Sequence, residues 1–174
     1  ERGVSSAEAA VETGFSDQSH FTNYFTAFTG LTPGACRELF RQEGIKLNYE
    51  CGDEDLPPIP GDSERLKQVF CNVLDNAAKH GGSGKRIIAS LRREADNYVI
   101  RIRDFGPGIP PAELPYVKQK FYKGSSKARG SGIGLAVCDE IIPRHGGTFE
   151  IGNADGGGAL VTITLPIPPH TEHR

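Results

Sequence analysis

The stretch that most constrains this chain is "GDSERLKQVFCNVLDNAAKH", Gly61 to His80, because no breaker interrupts it after Gly61. Asp62 or Ser63 supplies an N-cap and Gly81-Gly82 a stop, so the pattern predicts one long helix. Leu66, Val69, Phe70, Val73, Leu74 and Ala77 recur at helical spacing and form a wide apolar face. Gln68, Asn72 and Asn76 recur at i, i+4 and i+8 and line up as one polar stripe, with Lys79 three residues further on. A single Asn there would read as a solvated face. Two in mid-helix are harder to place, because Asn competes with the helix for backbone hydrogen bonds and prefers caps. Their amide oxygens suit Mg²⁺ as neutral ligands, which leaves the metal's charge for a triphosphate. Lys79 adds a phosphate-directed cation.

Downstream, "NYVIRIRD" alternates Tyr98/Ile100/Ile102 against Val99/Arg101/Arg103 and reads as a strand ending in Asp104. The "FGPGIP" that follows gives backbone room beside the carboxylate. This is either an acidic turn or an acceptor for an exocyclic amine. "GSGIGLAV", Gly130 to Val137, places bare backbone before an apolar run. It is either a tight turn or an anion site at a helix N-terminus, where N–H groups lack partners. His145-Gly146-Gly147 reads as the end of that helix, and "TFEIGNADGGGALVTITLPI" as a closing hairpin.

With 37% hydrophobic and 24% charged residues, the 174-residue chain has the composition of a soluble globular domain. No apolar run approaches a membrane span of roughly 20 residues, and no leader pattern opens it. A chain that starts at Glu1 without a methionine is expected to be a piece of a longer product, whose other parts could include membrane segments. Cys36, Cys51, Cys71 and Cys138 form no CxxC pair, and the five histidines are scattered. We expect reduced thiols, no zinc site and a cytoplasmic location.

Residues 1–43 read as a short all-α segment of three helices. "AAVETGFSDQSHFTNYFTAFTGLTPGACRELFR" resembles the C-terminal half of the DNA-binding domain of AraC-family regulators. The resemblance implies a helix-turn-helix that turns Gln18, Ser19, Thr22 and Asn23 toward a major groove. Only one of that family's two such units is present. Arg2, Arg37 and Arg41 stand against six acidic residues, a net charge of −3 over this segment. DNA binding draws most of its affinity from phosphate neutralisation, so independent DNA binding is disfavoured. Residues 44–174 carry the other 17 basic and 16 acidic side chains and are expected to form the second domain.

The ordered set N-x-x-x-N, D-x-G-x-G-I, F-Y-K-G and G-x-G-x-G-L resembles the ATP-binding domain of bacterial sensor histidine kinases. These belong to the superfamily of gyrase, the heat-shock chaperone and MutL-type ATPases. The resemblance spans about residues 45–168. It implies an α/β fold, a two-layer sandwich of the Bergerat type with a mixed, largely antiparallel sheet and three main helices on one face. It also implies ATP and Mg²⁺, with Asn72 and Asn76 as the N box that serves metal and phosphates. Lys79 matches the phosphate-facing basic residue, and His80 stands where relatives often place an aromatic ring. Asp104 matches the adenine-recognising carboxylate, with Gly106, Gly108 and Ile109 beside it. Phe121, Tyr122 and Lys123 match the F box, and Ser125 to Arg129 the lid. Gly130, Ser131, Gly132, Ile133, Gly134 and Leu135 match the second glycine box. Phe105 stands where Asn is common.

In hydrolytic relatives a Glu activates water at the place of Gln68, and a neutral Gln cannot act as a base. Transfer of a phosphoryl group is therefore expected, not hydrolysis. The implied partners are a dimerisation domain bearing the acceptor histidine and, through the full kinase, a response regulator. None of His20, His80, His145, His170 or His173 has the H-E/D-x-x-x-P setting of an acceptor. The fragment is expected to bind ATP, make no membrane contact and fail to phosphorylate itself. The alternatives are a nucleotide-responsive DNA-binding regulator, a non-catalytic ATP-binding scaffold, and an anti-sigma-type serine kinase module.

Overall fold

A computed structural model describes residues 33–51, 59–120, 122 and 133–169. The helices expected before Pro33 lie outside the described residues. The third expected helix is present as α1 (Pro33–Gln42), opened by proline at its first position.

The long uninterrupted stretch is α2 (Ser63–Gly81). Asp62 caps it, its Oδ1 accepting from the N–H groups of Glu64 at 3.1 Å and Arg65 at 3.2 Å. All six apolar residues read from its periodicity are buried. The Leu, Val and Phe side chains each stabilise the fold by about 2 kcal/mol relative to exposure.

The sheet has five strands in the order β1-β2-β3-β5-β4. They are β1 (Lys46–Cys51), β2 (Arg86–Glu94), β3 (Asn97–Asp104), β4 (Thr148–Asn153) and β5 (Ala159–Pro166). β1 pairs with β2 in parallel, Leu47 opposite Ile87, and every other pairing is antiparallel. The expected sandwich with a mixed, largely antiparallel sheet is therefore present. Ile87, Tyr98, Ile100, Ile102, Val161, Ile163 and Leu165 put one face into the core. The helices cover that face.

The remaining long helix is α3 (Gly134–Arg144), stopped at Gly146 with φ +75°. It lies against α2, where the fully buried Cys138 thiol donates to the Val69 carbonyl at 3.7 Å. Burial pushes that thiol up to about 12. At its far end, the Asp62 N–H donates to His145 Nε2 at 3.0 Å, and His145 Nδ1 lies 2.9 Å from the Ile141 carbonyl. His145 thus joins the start of α2 to the end of α3. α1 packs on β1 and adds Cys36 and Phe40 to the same core as Leu47 and Tyr49.

Candidate functional site

Asp104 ends β3 with 4% exposure, and among the described residues it is the one buried charge. A carboxylate taken out of water is costly unless it is hydrogen-bonded. Oδ1 accepts from the Gly106 N–H at 3.0 Å and the Ala159 N–H at 3.1 Å. Around it the backbone is stripped to glycine. A Cβ on Gly81 would collide with the Asp104 carboxylate, and one on Gly84 with the Phe105 backbone. A Cβ on Gly106 would lie 2.6 Å from Gly81 Cα, and one on Gly158 would collide with the Asp104 carbonyl. The end of α2, the turn after β3 and the start of β5 thus converge on one carboxylate.

The loop after Asp104 is pinned further along. Ile109 N–H donates to Asn153 Oδ1, and Asn153 Nδ2 donates back to the Ile109 carbonyl, both at 2.8 Å. Gly108 turns the chain there at φ +75°, the left-handed region that favours glycine. Gly106, Gly108 and Ile109 are all half-buried. Phe105 points elsewhere, flanked by the Arg103 guanidinium at 4.4 Å and that of Arg86 at 5.0 Å from its ring centre.

Asn72 and Asn76 are half-buried on α2. Asn72 Nδ2 donates to the Gly134 carbonyl at 3.4 Å, so the polar stripe meets the beginning of α3. Ile133, Gly134 and Leu135 form that beginning, where helical N–H groups lack intrahelical partners. Lys79 is exposed and paired with Asp75 at 2.8 Å. His80 follows it: burial and then the Lys79 cation push its imidazole below the ordinary value, with Asp104 and Asp75 pulling the other way. Gln68 Oε1 accepts from Arg65 at 3.3 Å. Tyr122 is half-buried, its ring centre 6.1 Å from that of Tyr116. Phe121, Lys123, Gly130, Ser131 and Gly132, and the lid at 125–129, lie outside the described residues.

Among the described residues, no group of three or more His, Cys, Asp or Glu could hold a metal. The donors that fit Mg²⁺ are the Asn72 and Asn76 amide oxygens, one helical turn apart. Three contributors escaped the sequence reading: Gly81, Asn153, and Lys118. Lys118 Nζ donates to Asp139 Oδ1 at 3.0 Å and to the Phe149 carbonyl at 2.7 Å, tying the segment before the F box to α3 and β4. No local pattern marks what these residues do at the site, because each acts there on a segment distant in sequence.

A buried carboxylate at a strand end, glycine-bared backbone around it and an Asn stripe facing a helix N-terminus, where an anion is favoured, thus come together in one α/β sandwich. Residues 61–169 match the family described as histidine kinase-, DNA gyrase B-, and HSP90-like ATPase, and the chain belongs to that ATP-binding family. Relatives include the signal transduction histidine-protein kinase AfsQ2 of Streptomyces coelicolor, 44% identical over 62% of this chain and 20% of its own length. The alginate biosynthesis sensor protein KinB of Pseudomonas aeruginosa is 31% identical over 87% of this chain and 27% of its own. The solved mycobacterial sensor histidine kinase MprB matches with a TM-score of 0.65 and 31% identity, over 76% of this chain and 91% of that one. The chain spans about a fifth to a quarter of these two curated relatives, and its matched region is homologous to the catalytic domain of sensor histidine kinases. Among the described residues, no helix is long and apolar enough to cross a membrane.

Proposed function

We propose that this chain binds Mg-ATP and supplies the γ-phosphoryl group to a histidine on a dimerisation domain outside it, as the catalytic domain of a sensor histidine kinase. The observation that carries the reading is Asp104, a carboxylate buried at 4% exposure in a cradle that admits no Cβ. The Gly106 and Ala159 N–H groups both bond Oδ1. Oδ2 would then accept from the adenine amino group, while Gly106, Gly108 and Ile109 would let the base approach the backbone.

The phosphates would then lie between Asn72, Asn76 and the N–H groups that open α3, where an anion is favoured. Lys79 adds its cation by leaving Asp75, an exposed pair worth little to the fold. Asn76 and Asn72 would hold Mg²⁺ through their amide oxygens, and the ion when bound neutralises charge on the phosphates. Gln68 is neutral and activates no water. The γ-phosphoryl group passes to an imidazole nitrogen of the partner, which loses its proton to solvent, and ADP remains. Such a transfer is driven by positioning and charge stabilisation. A response regulator would receive the phosphoryl group from the complete kinase.

The regulator-like resemblance of residues 1–43 carries no function in this reading, because their charge of −3 cannot neutralise phosphates. Calorimetry with Mg-ATP tests the proposal. Binding that is lost in Asp104→Ala and Asn76→Ala supports it, and an unmodified chain that binds no nucleotide refutes it.

A further inference from the structure

We propose that the turn between β4 and β5, residues Asn153–Ala159, is a positioning element that holds the Asp104 loop ready for the base, with Asn153 as its principal side chain. This rests on the nucleotide reading above.

The commonest β-hairpins close with two residues in a left-handed turn. Five, Ala154 to Gly158, separate these strands, and Gly156, Gly157 and Gly158 all take positive φ, at 86°, 106° and 84°. Consecutive glycines raise the entropy lost on folding, so a turn built only to reverse the chain would not need them. The added length instead reaches the Asp104 loop. Ala159 N–H bonds Asp104 Oδ1, and the bare Gly158 fits under the Asp104 carbonyl. Arg103 Nη2 donates to the carbonyls of Asp155 and Gly157, both at 3.0 Å. Asn153 makes the reciprocal pair with Ile109, matching the backbone donor and acceptor of one residue with one side-chain amide. Asn153 is exposed, so this pair adds little to the core. Its effect is to fix the one loop that carries Gly106, Gly108 and Ile109.

The test compares the unmodified chain with Asn153→Ala and Asn153→Asp. Mg-ATP and Mg-ADP affinities are read by calorimetry, Tm by thermal unfolding, and exchange of the Ile109 amide hydrogen by NMR without nucleotide. Asn153→Ala should weaken both nucleotides alike, by about tenfold, with a small change in Tm and faster Ile109 exchange. Asn153→Asp keeps the bond accepted from the Ile109 N–H and loses the one donated, so its loss should be smaller. A fall in Tm with affinities within twofold of the unmodified chain would make Asn153 merely structural and overturn the proposal. So would an unchanged Ile109 exchange rate, or a loss confined to ATP, which belongs to the phosphates. If the unmodified chain binds neither nucleotide, the kinase reading fails and takes this one with it. If it binds both and Asn153→Ala binds equally well, this proposal alone fails.

Discussion

On the side proposed for the phosphates, Asn72, Asn76 and Lys79 come from one helix at i, i+4 and i+7. On the side proposed for the base, Asp104 is held by Gly81, Gly106, Gly158 and Ala159, drawn from three segments of the chain. The first arrangement is generated by helical periodicity, and losing one side chain leaves the others in place. The second is a close-packed junction in which each part excludes the space another would fill. A periodic site tolerates change one residue at a time, whereas a converging site fails as a unit.

Substitutions should separate the two. Asp104→Asn keeps an acceptor for the Gly106 and Ala159 N–H groups but sets an amide N–H toward the adenine amine. It should fold and lose about 10- to 100-fold in ATP affinity by calorimetry. Retained affinity would sink the base assignment.

Gly81→Ala is a sharper test of convergence. In an ordinary helix this change gains up to about 1 kcal/mol. Here the new Cβ meets the Asp104 carboxylate, so urea unfolding should show a loss of about 2 kcal/mol, with weaker nucleotide binding. A gain in stability would show that the junction yields easily.

Asn76→Ala belongs to the periodic side. It should leave Tm almost unchanged and weaken ATP by about tenfold with Mg²⁺ present, but hardly at all in EDTA. An equal loss in both conditions would remove Asn76 from the metal.

The smallest effect falls on His80, which sits between the two sides. Its imidazole is depressed in the fold, so the unfolded chain takes up the proton first as pH falls. The stability it contributes is complete above the unfolded value of about 6.5 and declines as pH drops toward the lower folded value. His80→Gln should flatten the dependence of Tm on pH between about 7.5 and 5.5. An unchanged slope would mean that other groups set it.

Much of this was legible from the residues themselves. The apolar face of α2, the strand ending at Asp104 and the closing hairpin follow from periods of 3.6 and 2 and from glycine at chain stops, while the cap of α2 was narrowed only to Asp62 or Ser63. The Asn stripe was legible for the same reason, since a helix maps sequence spacing directly onto one face. The family followed from four motifs in order, and the match over residues 61–169 agrees with it.

The sequence could not reveal that Gly81 exists for Asp104, that Asn153 answers Ile109, or that α1 adds Cys36 and Phe40 to the sheet's core. Gly81 reads as a helix stop and Asn153 as part of a hairpin, and both readings are correct locally. Their second roles depend on β3, β4 and β5 lying side by side, which brings Asp104 within 3.1 Å of Ala159, 55 residues away. Short-range periodicity is written into the chain because neighbouring residues share one backbone geometry. Contact between distant segments is settled only when the strands pair and their backbones exclude one another's volume.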